Sequence, residues 1–253
     1  MNRALLVGIN EHRHNSLRGC LNDVESMRQC LLSNGFDIMA IKTLRDHQAT
    51  KTAILDNLKR MVDDATEDDH LVFAFSSHGS QIPDTSGDEP DGLDEILVTY
   101  AANGFDWQPE NYIADDELRK LLSGFNGGSF DIVLDCCHSG TGTRAGDVSR
   151  CIPFPIPIAK TWHPKHLLKD LAQDNICCWS GCRDTQTSAD AWIGGKYQGA
   201  MTWALTKTIS NWPMLMSRGA YHNEIGRALK INGYDQEPQL ECSNEMRNRE
   251  IFT

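Results

Sequence analysis

Nowhere in the chain does an apolar run approach the roughly 20 residues needed to cross a bilayer. The early stretch ALLVGI is too short for the core of a secretion signal, and NEHRHN follows where small residues at a cleavage site would stand. Positive charge is also scarce. Against 35 Asp and Glu there are 24 Lys and Arg, leaving a net charge of -11. That balance argues against a nucleic-acid binder, which carries a basic face. An acidic surface is solvated by default and, where confined, favours cationic ligands. A spaced, even set of cysteines is missing as well. The nine present include adjacent pairs, a poor disulfide framework that points to a reducing, cytoplasmic setting. Repeats and low-complexity tracts are absent. What remains is an ordinary globular composition, 40% apolar and 23% charged, over a length that suits one domain spanning 1–253.

The apolar residues that are present fall into short continuous runs and helical stripes. ALLVGI (Ala4–Ile9), FDIMAIKTL, HLVFAFSS (His70–Ser77), FDIVLDCC, NICCWSGC and EPQLEC read as strands, most of them buried on both faces. LNDVESMRQCLL places Leu21, Val24, Met27, Cys30 and Leu31 at helical spacing before SNGF stops it. TKTAILDNLKRMVDDA, DDELRKLLSGF, GAMTWALTKTI and HNEIGRALKIN continue the alternation. Strand–helix alternation with short connections predicts an α/β fold, a mostly parallel sheet with helices on both faces. One linker interrupts it, Thr141 to Lys169. The prolines of CIPFPIPIAK keep that stretch out of helix and predict an extended, exposed connection.

In such sheets, functional residues collect beyond the carboxyl ends of the strands. FAFSSHGSQ delivers His78 and Gly79 at one such end, and IVLDCCHSG delivers Cys137 at another. A cysteine nucleophile beside a histidine base can attack an acyl carbon. Successive strand residues face opposite ways, so only one of Cys136 and Cys137 can meet the histidine. Cys137 lies nearer the exit, and Cys136 reads as a small buried hydrophobe. The amides of Gly79 and Cys137 then suit an oxyanion hole.

The blocks ALLVGIN, LRGCLND, FSSHGSQ, DEPDGLDEIL, ADDEL, LDCCHSG, WSGCRDTQTS and QEPQLE occur in this order across Ala4 to Glu241. Together they resemble a metacaspase or bacterial orthocaspase, a caspase-like cysteine peptidase. The resemblance implies a caspase-like fold with a central six-stranded sheet, a His78–Cys137 dyad, protein or peptide substrates and no organic cofactor. It also implies an S1 pocket lined by Cys20, Asp23, Ser76 and Asp135. Caspases that cut after Asp carry Gln two residues before the nucleophile, where this chain has Asp135. A confined pocket with two carboxylates prefers Arg or Lys at P1.

DTSGDEPDGLDE crowds Asp84, Asp88, Glu89, Asp91, Asp94 and Glu95 together, and ADDE adds Asp115 and Asp116. A solvated loop is the default reading. A hard cation would relieve the repulsion, and the resemblance implies calcium held by Asp94, Asp115 and Asp116. A further acid found in some relatives aligns near Arg144, where this chain is basic. The rival readings are weaker. A phosphatase loop needs Cys-x5-Arg and Cys137 to Arg144 is one residue too long, while CCH and CCWSGC lack zinc-ligand spacing. HRH (His12, Arg13, His14) reads as a solvated loop. The expectation is a peptidase cutting after Arg or Lys, with self-cleavage at Arg144, Arg150, Lys160 or Lys165. The alternative is a catalytically silent scaffold of the same fold. Monomer or dimer stays open.

Overall fold

The computed structural model describes residues 1–13, 15–84, 92–101, 107–137, 147–152, 174–181, 186, 188–213 and 216–252. The apolar runs form the central sheet: β1 (Arg3–Gly8), β2 (Ile41–Arg45), β3 (His70–Ser76), β7 (Ser129–Asp135), β9 (Ile176–Ser180) and β12 (Gln239–Glu241). Their order is β12-β9-β7-β3-β1-β2, all parallel except β12, which runs antiparallel to β9. This is the α/β architecture with a six-stranded, mostly parallel sheet.

Strand alternation sorts neighbouring residues onto two cores. Leu6, Val72, Val133 and Trp179 face one side, where they meet Val24 and Met27 of α1 (Cys20–Ser33), Met201 and Leu205 of α4 (Ala200–Asn211), and Ile225 and Leu229 of α5 (Arg218–Ile231). Leu5, Phe73, Phe75, Ile132 and Leu134 face the other, against Ile54 and Leu58 of α2 (Lys51–Asp63) and Leu118 and Leu122 of α3 (Asp115–Leu122). A short α6 (Asn244–Asn248) completes the helices among the described residues. Burying whole Leu, Ile and Phe side chains in this way contributes about 1.5–3 kcal/mol each. Thr50 caps α2, its hydroxyl accepting from the Ala53 amide at 3.3 Å.

Two small sheets escape the sequence reading. β4 (Gly79–Pro83), β5 (Leu93–Val98) and β6 (Tyr112–Ala114) form an antiparallel meander leading away from His78. β8 (Val148–Ser149), β10 (Ala189–Ile193) and β11 (Lys196–Gly199) form the other, also antiparallel. The linker expectation needs correcting in its described part. Residues 147–152 are extended as expected but not exposed: Arg150 is 0% accessible and Cys151 7%. Pairing with β10 and β4 draws them into the molecule.

Candidate active site

β3 and β7 run side by side with Ser76 opposite Asp135. Continuing that register sets Ser77 level with Cys136 and His78 level with Cys137, just past the carboxyl ends. The two cysteines part company as alternation requires. Cys136 packs into the core with Leu5 and Val7, and burial pushes its thiol well above the ordinary range. Cys137 packs instead with Cys151, and its Sγ accepts the Ser188 amide.

His78 is fully buried. Its Nε2 lies 2.7 Å from the Asn15 carbonyl. A carbonyl only accepts, so Nε2 carries the proton and Nδ1 is left as the basic nitrogen. Nδ1 is buried without a hydrogen-bond partner. Burial lowers the imidazole to about 4, against the raising effect of the Asn15 carbonyl, so the ring is neutral at pH 7. His12, read from sequence as a solvated loop residue, packs on His78 edge-to-face with centroids 4.7 Å apart and reaches Ser77 Oγ at 3.2 Å. Burial and the neighbouring His78 lower it to about 3. His14 lies outside the described residues.

Residues 147–152 thread the cleft between β10 and β4. Ser149 and Val148 pair antiparallel with Ala189 and Asp190. The Arg150 amide donates to the Ser188 carbonyl at 3.2 Å. The Arg150 carbonyl accepts from both Gly79 N–H at 3.0 Å and Cys137 N–H at 3.1 Å, the two amides expected from sequence to form an oxyanion hole. Beyond it, Cys151 bridges Gly79, the Ile152 amide donates to the Gly79 carbonyl at 3.0 Å, and Ser80 Oγ donates to the Ile152 carbonyl. A peptide carbonyl thus sits on two converging donors, with the chain pinned on each side of it.

The Arg150 side chain fills the expected S1 pocket. Nη1 donates to Ser76 Oγ at 2.7 Å and to the Asp135 carbonyl at 3.1 Å, and lies 3.3 Å from Asp135 Oδ1. Nη2 donates to Asp23 Oδ2 at 2.7 Å and Asp190 Oδ1 at 2.9 Å. Each acid is itself held in place. Asp23 accepts from the Ser76 hydroxyl at 2.6 Å and the Gly199 amide at 2.9 Å. Asp135 accepts from Ser188 Oγ at 2.6 Å and from the Thr202 amide and hydroxyl at 2.8 and 2.7 Å. The Thr202 amide belongs to the first turn of α4, where donors are unpaired and the helix favours negative charge. Asp190 accepts from the Arg18 amide at 2.8 Å. Burial pushes Asp23 up to about 6, with Arg150 and Ser76 pulling the other way. Cys20 is buried at the start of α1, its thiol pushed up to about 12 chiefly by burial and drawn back by Arg150. Gly199 must lack a side chain, since a methyl there would overlap the Asp135 carboxylate and the Arg150 guanidinium.

A family profile for the metacaspase, peptidase C14 domain matches residues 2–145. The chain belongs to the metacaspase family. It is a cysteine-type peptidase by that membership. Among curated proteins it is 30% identical to Metacaspase-1B of Aspergillus fumigatus, over 96% of this chain and 70% of that one. Metacaspase-1 of Botryotinia fuckeliana is also 30% identical, over 99% and 70%. A crystal structure of a protein from Geobacter sulfurreducens superposes with a TM-score of 0.75 at 26% identity, covering 100% of this chain and 98% of that one.

Sequence reading of this metacaspase missed Asp190, Ser188, Asn15, Gly199 and Thr202. The signal available for Asp190 was an acid in the otherwise small and apolar run Ser188–Ala191, an expensive residue to bury without a cation. The acidic loops are less built. The β5–β6 register, with Ile96 opposite Ala114, brings Asp94 towards Asp115 and Asp116. Asp116 pairs with Arg119. Among the described residues no three His, Cys, Asp or Glu side chains group as a metal site. Asp88, Glu89 and Asp91 lie outside the described residues, as do Arg144, Lys160 and Lys165. Cys177 and Cys178 face opposite cores, which removes them as joint zinc ligands. No helix among the described residues is long and apolar enough to cross a membrane.

Proposed function

We propose that this metacaspase cuts peptide bonds after arginine, and after lysine less well, and that Arg150–Cys151 is a bond of its own that it cuts. One observation carries the reading: Arg150 sits as a P1 residue would, guanidinium among three carboxylates and carbonyl on the two amides. Three buried acids around one cation leave an excess of negative charge, which repels an acidic P1 side chain and suits a basic one.

The chemistry follows from the groups around that carbonyl. Cys137 Sγ gives its proton to His78 Nδ1 and attacks the Arg150 carbonyl carbon. The Gly79 and Cys137 amides hold the resulting oxyanion, each such donor contributing ~3 kcal/mol. The C–N bond to Cys151 breaks as His78 returns the proton to the leaving nitrogen, leaving a thioester. A water molecule deprotonated by His78 then releases Arg150 as a carboxylate and restores the thiol. While Arg150 stays in the pocket, its contacts exclude an external arginine.

Intact mass spectrometry of the wild type and of Cys137→Ala tests the reading. Fragments ending at Arg150 should appear in the wild type only. Fragments at the same bond in Cys137→Ala would overturn it, as would turnover of an aspartyl peptide matching that of an arginyl one.

A further inference from the structure

Cutting Arg150–Cys151 yields a thioester on Cys137 and a chain that begins with cysteine, the two reactants of peptide ligation. We propose that this enzyme also makes Arg–Cys bonds, passing the arginyl acyl group from Cys137 to a peptide whose first residue is cysteine. The inference rests on the reading of Arg150 as acyl donor and adds an activity to it.

Three features of the cleft favour ligation over hydrolysis. The segment is held on both sides of the bond by different strands: Arg150 and Ser149 on β10 and its approach, Cys151 and Ile152 on Gly79 and Ser80 of β4. The new amine therefore stays beside the thioester after the bond breaks, and groups so held react as though at about 10^5 M or more. The cleft is also dry around the reacting atoms, with Arg150, Cys137 and Cys151 at 0%, 1% and 7% accessibility. Water must displace the Cys151 end to reach the thioester. Finally, the Cys151 side chain packs against Cys137 itself, and thiolates are the natural exchange partners of thioesters.

The steps need no further reactant. After acylation His78 is neutral again. It takes the Cys151 thiol proton, the thiolate attacks the Arg150 carbonyl carbon, and the bond to Cys137 Sγ breaks. Cys137 recovers its proton from His78. The acyl group, now on Cys151 Sγ, is attacked by the Cys151 α-amine through a five-membered ring. The amide forms, and the amine's proton ends on the thiol. Without its thiol the amine attacks the thioester directly, by a slower route.

The test offers the full chain a coumarin amide of Asp-Val-Ser-Arg together with millimolar Cys-Ile-Pro-Phe or Ser-Ile-Pro-Phe. Coumarin fluorescence reports acylation whichever nucleophile follows, and mass spectrometry partitions the product. Arg150→Gly is run alongside so that occupancy of the pocket is not mistaken for inactivity, and Cys137→Ala provides the blank. The ligated octapeptide should form with the cysteine peptide at about tenfold or more the yield given by the serine peptide. Coumarin release with free Asp-Val-Ser-Arg as the sole product would overturn the inference and leave arginine cleavage standing. Equal ligation to both peptides would overturn the role of the thiol. No coumarin release from either protein would overturn the cleavage reading and the inference with it.

Discussion

Two arginines among the described residues are wholly buried, and they are buried in opposite ways. Arg218 meets a single carboxylate. Its Nε and Nη2 clasp the two oxygens of Asp131 at 2.8 and 2.7 Å, and Nη1 donates to the Glu250 carbonyl at 2.6 Å. Trp179 donates to the same acid at 3.0 Å. Charge and donors are matched, which is what a permanent internal pair requires. Arg150 meets three carboxylates from α1, β7 and β10, and its Nε is buried without a partner. The acids have their own supports in Ser76, Gly199, Ser188, Thr202 and the Arg18 amide. Arg218 belongs to its pair. On the self-cleavage reading, Arg150 is the guest of a pocket whose acids have these other partners.

That contrast breaks most sharply on stability. Arg218→Met strands Asp131 in the core and should cost about 3–5 kcal/mol by urea unfolding. Arg150→Met should cost less than about 2 kcal/mol, because the segment can lift and admit water to the acids. Equal losses would make both arginines structural and remove the basis for the self-cleavage reading.

The pocket acids come next. Asp135→Asn or Asp190→Asn should lower kcat/KM for an arginyl peptide about thirtyfold or more, from losing a buried charge partner worth ~2 kcal/mol at least. The effect should fall on KM as well as on processing of the chain itself. Unchanged kinetics in Asp190→Asn would return that residue to a purely structural role.

Lysine gives a smaller test. Nη1 lies against Asp135 while Nη2 reaches Asp23 and Asp190, and a compact ammonium on its stem cannot span them. Lysyl peptides should therefore be cut about tenfold more slowly than arginyl ones. Parity between them would mean that the three-acid cage does not read the guanidinium fork.

The smallest effect is in pH. Burial holds Asp23 up to about 6 even with the Arg150 guanidinium drawing it down, so in a vacated pocket it takes a proton at or somewhat above that pH and the pocket loses a charge. KM for arginyl peptides should rise there, and Asp23→Asn should flatten the step. His78, lowered to about 4 mainly by burial, keeps its neutral, basic form until well below that, so kcat should fall only at lower pH. A fall in kcat alone near 6, unchanged in Asp23→Asn, would assign the step elsewhere.

Much of this was legible from the chain. β1, β3 and β7 announce themselves because strands buried on both faces are largely apolar, and the ends of β3 and β7 point to His78 and Cys137. Strand alternation alone separates Cys136 from Cys137. Asp23, Ser76, Cys20 and Asp135 were readable only through family resemblance, since nothing local marks an acid on α1 as part of a pocket built from β7. The two small sheets were missed because most of their strands are short with mixed exposure, and β5, though buried throughout, carries Asp94 and Glu95 in place of an apolar run.

By itself, then, the sequence determined the layered α/β sheet and which strand ends carry the reactive groups, because hydrophobic period and strand direction are local properties. It could name Arg144, Arg150, Lys160 and Lys165 in the linker but could not rank them. Only the tertiary structure placed Arg150, by bringing it to Asp23 across 127 residues and to Asp190 across 40. It also set the Arg150 carbonyl on the amides of Gly79 and Cys137. A pocket assembled from separate elements exists only once the sheet has closed around it, because charge, desolvation and converging donors are properties of distance in space.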